Sequence, residues 1–342
     1  MNTFAVSVIV VVQQNAQHLD PASTKHLEIH QNFPVAMLLG VAYGATLGGV
    51  ATLIGTPPNT LLAAFVEERY GVTIGFGQWM LVGLPMTIGL LPLCWWLLTQ
   101  RLYPVGFETR GRTLEHLKSL RRELGSMSSA ERRVAILFLL LALGWMSRKL
   151  LMTLPLLSGL SDAGIAMIMA VALFLVPSGD LKSPPLMDWQ ATRDLPWGIL
   201  ILFGGGLSLA AAVSNTGLAA WLGQRILSLG IAELSVLVMV IATSIIFLTE
   251  MTSNLATTAT FLPVVAGVAA EAGHTPIALL APVAMAASCA FMLPVATPPN
   301  AVVYGSGRIS IPDMVKAGFW LNIASILVVS LIAVYLAPRL LG

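Results

Sequence analysis

The sequence Thr-Pro-Pro-Asn at residues 56–59 recurs at residues 297–300, and each copy interrupts a long apolar stretch. Proline has no backbone N–H and clashes with the preceding helical turn, so two consecutive prolines end a helix. Inside a lipid bilayer, an interrupted helix persists only where its freed polar groups line a cavity or a binding site. Two similarly broken helices in one chain therefore indicate a ligand site formed by repeated units within a membrane.

The amino-acid composition is that of a membrane protein. The chain has 342 residues, of which 56% are hydrophobic and only 10% are charged, whereas soluble domains carry about 25% charged residues. We therefore predict an all-α, multi-pass protein of the cell membrane, surrounded by lipid. The net charge of +2 does not indicate a nucleic-acid partner, because basic residues follow membrane topology. Cys94 and Cys289 lie in apolar runs and are predicted to be buried thiols.

Apolar runs predict nine or ten membrane segments, some of them half-helices. The candidates are residues 33–55, 59–66, 76–98, 134–145 continued by 150–157, 163–176, 197–213, 235–248, 255–269, 277–295 and 314–336. The polar stretch 101–133 holds eight of the 18 lysines and arginines. Because loops rich in basic residues remain inside the cell, this stretch is predicted to be a cytoplasmic amphipathic connector.

A polar segment, TEMTSNLATT at residues 249–258, separates two of these runs. Polar groups at mid-membrane are costly unless they are used, and Thr and Ser favour helix caps. We predict a re-entrant hairpin that turns at Ser253 and Asn254, where the second half-helix offers unpaired N–H groups to an anion and unwound carbonyls bind a cation. Ordinary polar contacts between helices are the alternative. Glu250 is interpreted as a structural acceptor, with a buried partner or a proton site as alternatives.

Three segments resemble the signatures of the divalent anion:sodium symporter family. They are TSNLATT at residues 252–258, FMLPVATPPNA at 291–301 and GVATLIGTPPN at 49–59, and the resemblance extends from about residue 33 to the C-terminus. It implies an inverted-repeat transporter of the elevator type, in which a transport domain slides against a scaffold that also forms a homodimer. Each repeat would supply one re-entrant hairpin and one Pro-Pro-broken helix and would bind one sodium ion. A di- or tricarboxylate would bind between the tips of the two hairpins.

The resemblance also implies which residues form the sites. The substrate-binding residues would be Asn2, Thr3, Thr56, Pro57, Ser253, Asn254, Leu255, Thr297 and Pro298. The sodium ligands would be Asn2 and Gly55 in the first site, and Thr249, Thr252, Asn254 and Ala296 in the second. These motifs contain no Lys or Arg, so helix N-termini, hydroxyl and amide donors and the co-transported sodium would balance the anion's charge. Leu255 stands where the family most often has Thr, which leaves succinate, malate or fumarate versus citrate open.

The sequence predicts five regions. They are residues 1–32, a remnant of the first hairpin with a polar loop; 33–100, transport helices with a broken helix at 55–59; 101–133, the connector; 134–196, scaffold helices and a loop; and 197–342, the second repeat with a hinge at 249–258 and a broken helix at 296–300. Because Met1-Asn2-Thr3 is interpreted as the end of a Ser-Asn-Thr motif, we expect an N-terminally truncated chain that lacks its first scaffold helices and transports poorly.

Other functions compatible with these motifs are anion exchange, sulfate transport, or a truncated membrane fragment that does not transport. No catalytic residues and no organic cofactor are predicted, and the chain is not expected to be an enzyme. Two further motifs are interpreted structurally. Ser214-Asn215-Thr216 has no Pro-Pro break after it and is predicted to be a helix end or turn, and the glycines at 204–206 are predicted to permit close helix packing.

Overall fold

A computed structural model describes residues 28–105, 125–179, 183–194, 198–228 and 233–341, with isolated positions at 6, 8–10, 12, 13, 118, 122 and 230. These residues are almost entirely helical and include no β-strand, although an isolated bridge joins Pro177 and Pro185. The prediction of an all-α fold is confirmed. Asn2 and Thr3, together with about half of the predicted connector, lie outside the described residues.

The described α-helices are numbered in chain order. They are α1 (Phe33–Val50), α2 (Pro57–Tyr70), α3 (Phe76–Trp96), α4 (Ser129–Leu151), α5 (Asp162–Leu175), α6 (Gly198–Asn215), α7 (Leu218–Leu227), α8 (Leu234–Thr249), α9 (Asn254–Ala272), α10 (Pro276–Ala287), α11 (Pro298–Tyr304), α12 (Ile311–Tyr335) and α13 (Ala337–Leu340). Single π-helical segments cover Glu28–Asn32 and Leu97–Leu102, and short 3₁₀ turns cover Pro155–Leu157 and Gln190–Asp194.

The lengths of these helices suit a multi-pass membrane protein. Four are long and apolar enough to cross a bilayer: His30–Val50, Phe76–Leu102, Asn254–Ala272 and Ile311–Tyr335. Shorter apolar helices cover Asp162–Leu175, Gly204–Val213, Leu234–Thr249 and Pro276–Ala287. A full crossing needs about 20 residues, so the shorter helices have the length of the half-helices that the sequence predicts.

The first break in the fold lies just before the prolines. Helix α1 ends at Val50, residues 51–56 form turns, and α2 begins at Pro57. Proline is tolerated in the first helical turn because its missing N–H has no intrahelical partner there. The expected break at 55–59 is therefore displaced toward the N-terminus. Helix α3 satisfies two carbonyls at the end of α1, since Trp79 Nε1 donates to Val50 O at 3.0 Å and Thr87 Oγ1 to Leu47 O at 2.8 Å.

The second break has the same plan but is longer. Helix α10 ends at Ala287, residues 288–297 are non-helical, and α11 begins at Pro298. The apolar run 277–295, which the sequence predicts to be one span, therefore loses its helical form eight residues early. Beyond this end, the backbone N–H groups of residues 291–293 donate to the Glu250 carboxylate, so the helix does not resume there.

The two broken helices pack on each other reciprocally. Helix α2 contacts α10, and α11 contacts α1. In each half, a later long helix packs against the break through a glycine. A Cβ on Gly83 of α3 would lie 2.6 Å from Val50 O, and a Cβ on Gly318 of α12 would overlap the backbone of Phe291. Close approach of backbones is a role that only glycine fills. This arrangement brings the two breaks against the packed helices, with part of each break buried and part exposed.

Helices α6 and α7 pack on α9 through small residues. A Cβ on Gly206 would lie 2.7 Å from Ala259 Cβ, and one on Gly267 would overlap the Ala219 carbonyl. The packing role predicted for the 204–206 glycines is thus confirmed for Gly206. Helix α7 was not predicted from the sequence. The predicted end at Ser214-Asn215-Thr216 is confirmed, because α6 ends at Asn215. Cys94 and Cys289 are buried free thiols, as predicted.

Candidate functional site

The polar hinge is a four-residue turn between two helices that both pack on α10. Helix α8 ends at Thr249 and α9 begins at Asn254. Residues 251–253 are exposed, and Ser253 occupies the N-cap in an extended conformation without a capping side-chain bond. The Ser253 side chain therefore accepts no hydrogen bond from the backbone N–H groups in the first turn of α9. The positive end of the α9 dipole lies beside the exposed residues 251–253.

Two residues predicted for the second sodium site contact each other across this hinge. Thr249 Oγ1 donates to Asn254 Oδ1 at 2.8 Å and to the Ala287 carbonyl at 3.3 Å. No described residue accepts a hydrogen bond from Asn254 Nδ2, so this amide has its oxygen held and its nitrogen available. The arrangement collects a hydroxyl, a carboxamide and a main-chain carbonyl oxygen, which are ligands that suit a hard cation.

The other two residues predicted for that sodium site have separate partners. Thr252 Oγ1 lies 2.6 Å from Thr257 Oγ1 and donates to Leu248 O at 3.0 Å. Ala296 is buried, and its backbone N–H donates to Leu293 O at 3.2 Å. Neither shares a hydrogen bond with Thr249 or Asn254 in the described structure. Their assignment to a sodium site stays a prediction.

Glu250 is a buried carboxylate that organises the second break. Its oxygens accept backbone N–H groups from Phe291, Met292 and Leu293 at 2.7–3.0 Å. Asn322 Nδ2 of α12 donates to the same carboxylate at 2.8 Å. A carboxylate that accepts several N–H groups in a low-dielectric interior is strongly held. The side chain therefore acts as the structural acceptor that the sequence analysis favoured, and it attaches the hinge to both the break and α12.

The first break contacts the second through Thr56. Ser288 Oγ, at the end of α10, donates to Thr56 Oγ1 at 3.0 Å. Gly55 and Pro57 on either side are exposed, whereas Thr56 is half-buried. A Cβ on Gly55 would overlap the Gly49 carbonyl oxygen, so the turn closes only with glycine at this position. The end of α10 thus contacts the hinge through Ala287 and the first break through Ser288.

Each Thr-Pro-Pro-Asn motif uses its asparagine in the same way. Asn59 Nδ2 donates to Val50 O at 3.4 Å and to Thr52 O at 3.0 Å. Asn300 Nδ2 donates to Ala290 O at 3.3 Å and to Leu293 O at 3.1 Å. Both asparagines are fully buried. Each asparagine amide therefore binds backbone carbonyls in the break that precedes it. This interaction explains structurally why the motif ends in asparagine.

The remaining predicted substrate residues differ in exposure. Thr297 is the N-cap of α11, and its Oγ1 accepts the Asn300 N–H at 3.3 Å. Pro298 is exposed. Leu255 is 5% exposed and belongs to the apolar core, so its predicted contact with substrate is not visible in this conformation and stays a prediction. Ser288 was missed, although it is the one hydroxyl residue in the apolar run 277–295.

A groove elsewhere on the surface has a volume of about 410 Å³. It lies between α3 and α4, and Arg148 on its wall pairs with Asp162, Nε to Oδ1 at 3.4 Å. None of the predicted site residues lines it. The groove is therefore separate from the hinge and the breaks.

Comparison with known proteins gives concordant matches along the whole chain. A family model described as "Sodium:sulfate symporter transmembrane region" matches residues 3–341. The sodium-dependent dicarboxylate transporter SdcS of Staphylococcus saprophyticus is 40% identical over 348 residues, which cover 100% of this chain and 67% of the relative. SdcS of Staphylococcus aureus strain USA300 is 40% identical over 349 residues, covering 100% of this chain and 66% of the relative. The chain thus spans about two thirds of the length of these relatives.

Proposed function

The chain belongs to the sodium:sulfate symporter family, and on this premise we propose that it binds a small dicarboxylate together with sodium ions and carries both across the cell membrane. The observation that carries the proposal is the convergence at the end of α10. There, Ala287 accepts from Thr249 of the hinge and Ser288 donates to Thr56 of the first break. Polar groups from three interrupted segments thus meet inside an apolar core.

The donors at this place suit an anion that only accepts hydrogen bonds. Among the described residues none accepts a hydrogen bond from Asn254 Nδ2, and Thr56 contributes a half-buried hydroxyl, whereas Thr297 is buried in this conformation. The N-terminus of α9 adds main-chain N–H groups and a positive dipole end. Helix α2 contributes less, since Pro57 and Pro58 have no N–H. A dicarboxylate held by these groups would rest on neutral donors, so co-bound cations would complete its charge balance.

The oxygens beside the hinge support the proposed second sodium site. Thr249 Oγ1 already lies within hydrogen-bond distance of both Asn254 Oδ1 and the Ala287 carbonyl. A sodium ion placed among them would replace the Thr249–Asn254 hydrogen bond and draw both oxygens toward itself. We assign Thr252 and Ala296 to the same site and the Gly55 carbonyl to the first site, where Asn2 would be its partner. Cation and anion would share Asn254, which couples their binding.

We propose a dicarboxylate because the similar proteins are named dicarboxylate transporters. Sulfate transport and anion exchange by the same site remain the second candidates, since the matching family model is described by sodium and sulfate. The reciprocal packing of the two broken helices supports an inverted repeat. We propose, as the family resemblance implies, that this repeat moves as an elevator in the bilayer and assembles as a homodimer. The proposal assigns no enzyme activity to the chain.

Asn254→Ala is expected to weaken succinate binding about tenfold or more. The change removes a donor to a charged group and a proposed sodium ligand, and one hydrogen bond to a charged group contributes about 1.5–3 kcal/mol. Calorimetric titration of the purified full chain in lipid nanodiscs, over a series of sodium concentrations, measures both effects. The dependence on sodium should become weaker together with the affinity.

Thr260→Ala is the matched control. Thr260 lies on the same helix, is exposed, and donates only to Ala256 of its own helix at 2.9 Å. Its loss should leave binding unchanged. Equal sodium-dependent affinity in Asn254→Ala and the unmutated chain would remove Asn254 from the site. If the chain bound sulfate but not succinate, the result would favour sulfate transport. If vesicles took up succinate only when they had been preloaded with an anion, the result would favour anion exchange.

A further inference from the structure

Helices α4 and α5 form a pair that is attached to the rest of the described structure mainly at one end of α3. The two helices pack on each other, and α3 is the one other described helix that makes extensive contact with α4. The contact lies where α3 begins, at Phe76, and near the end of α4, at Trp145 and Arg148. Beside this contact, the two helices line the groove of about 410 Å³. The attachment is therefore local.

Asp162, the first residue of α5, is the centre of this attachment. Its Oδ2 accepts the backbone N–H of Phe76, the first residue of α3, at 3.1 Å. Its Oδ1 lies 3.4 Å from Arg148 Nε of α4, and its backbone carbonyl accepts Trp145 Nε1 at 2.9 Å. The rings of Phe76 and Trp145 stack with their centroids 4.8 Å apart. One residue of α5 therefore binds both α3 and α4.

The Asp162 carboxylate would keep favourable partners if α3 moved away. Arg148 pairs with it from within the α4–α5 pair, and the N-terminus of α5 stabilises a negative charge through the helix dipole. The Asp162 side chain is 24% exposed, so water can reach it. The Phe76 N–H belongs to the first turn of α3 and has no intrahelical partner, so another acceptor can replace Asp162. Opening this contact would therefore leave no charge unpaired.

We propose that the contact between Asp162 and Phe76 is a latch between two units of the transporter. When closed, it holds α3 and the other transport helices in the described position against the scaffold helices α4 and α5. It opens before the transport helices slide. A hydrogen bond to a charged group is strong enough to favour one position and weak enough to break during such a movement. The inference rests on the proposed function, because it takes α3 as a transport helix and α4 and α5 as scaffold helices.

The test measures the distance between the two units in the purified full chain in nanodiscs. Spin labels at the exposed positions Ile88→Cys of α3 and Met167→Cys of α5 report this distance by double electron–electron resonance. The native Cys94 and Cys289 are buried, and the chain without introduced cysteines gives the background signal. In Asp162→Ala, the ratio of a second distance to the original one should rise about tenfold or more, the effect of losing one hydrogen bond to a charged group. Calorimetric succinate affinity at saturating sodium should stay unchanged.

Arg148→Met is the matched control. It breaks the same ion pair but leaves the Phe76 N–H with its acceptor, so the original distance should persist. Asp188→Asn changes an exposed carboxylate that accepts the N–H of Ala191, three residues further along, and should have no effect. Asp162→Asn keeps an acceptor oxygen without the charge, so its distance ratio should lie between those of Asp162→Ala and the unmutated chain. If circular dichroism showed that Asp162→Ala does not fold, Asp162→Asn would serve as the test variant.

Two results would overturn the inference while leaving the proposed function in place. One is an unchanged distance in the Asp162 variants. The other is an equal second population in Asp162→Ala and Arg148→Met, which would assign the effect to the ion pair within the α4–α5 pair. A failure of the unmutated chain to bind succinate in the presence of sodium would instead contradict the proposed function, while the distance ratios would still show whether Asp162 holds α3 against α4 and α5.

Discussion

Glu250→Ala is expected to lower the free energy of unfolding by about 4 kcal/mol or more. Four donors, the N–H groups of residues 291–293 and Asn322 Nδ2, lose their acceptor in this variant. Each buried donor left unpaired costs about 1–3 kcal/mol, and losses of this total size arise when a buried polar network is broken. Thermal unfolding of the purified chain in detergent, followed by circular dichroism or intrinsic fluorescence, measures the change.

Glu271→Ala is the control for this variant. Glu271 lies near the end of α9 and is exposed, and surface substitutions usually change stability by less than about 0.5 kcal/mol. Glu250→Gln should fall between the two, since an amide retains one acceptor oxygen but turns an NH₂ group toward the donors of the break. A Glu250→Ala protein as stable as Glu271→Ala would show that the break holds its shape without the carboxylate.

The Glu250 network also illustrates what the sequence could and could not predict. A carboxylate beside a hydroxyl-rich segment is visible in the sequence, and its role as an acceptor follows from the cost of a buried charge. Its partners, 41–43 residues further along the chain, are backbone groups. Every residue except proline has a backbone N–H, so the sequence does not reveal which of these groups bind Glu250. This is why the run 277–295 was interpreted as one span although α10 ends at Ala287.

The helices that were predicted well are those with a strong apolar signal. Helices α3, α5, α8 and α12 begin and end within a few residues of the expected runs, because length and hydropathy are read directly from the sequence. Helix α7 was missed because its ten residues carry Gln224 and Arg225. Such a short and partly polar segment does not reach the length and apolarity expected of a membrane span.

The contacts within the site could be predicted only in part. The Thr-Pro-Pro-Asn motifs located the breaks because proline acts through its own backbone. The contact between Ser288 and Thr56 depends on how two distant helices pack, and a lone serine in an apolar run gives little indication of its partner. Leu255 shows the same limit, since its position in a motif predicts a ligand contact, its side chain lies in the apolar core in this conformation, and the contact stays a prediction. Motifs find the polar segments, and tertiary packing decides which side chains face one another.

Gly55→Ala is expected to weaken sodium-dependent succinate binding tenfold or more. The new Cβ would overlap the Gly49 carbonyl oxygen and lie 2.7 Å from Thr52 Oγ1. The Thr52 side chain could rotate away, but the Gly49 carbonyl belongs to the backbone and cannot, so the break itself must open. Thr56 would then lose its hydrogen bond with Ser288, and the Gly55 carbonyl would move away from the proposed first sodium site. Calorimetric titration of succinate at several sodium concentrations measures the loss of both affinities, and equal binding in Gly55→Ala and the unmutated chain would place the site away from this break.

Gly44→Ala distinguishes a local collision from a general effect of adding a methyl group. Gly44 lies within α1, and a Cβ there would meet no other atom within 4 Å. Alanine is a better helix former than glycine by about 1 kcal/mol, so this variant should bind succinate normally and unfold at the same or a higher temperature. If Gly44→Ala lost binding as strongly as Gly55→Ala, the effect would belong to the whole broken helix, and the close approach of Gly55 to Gly49 would not be its cause.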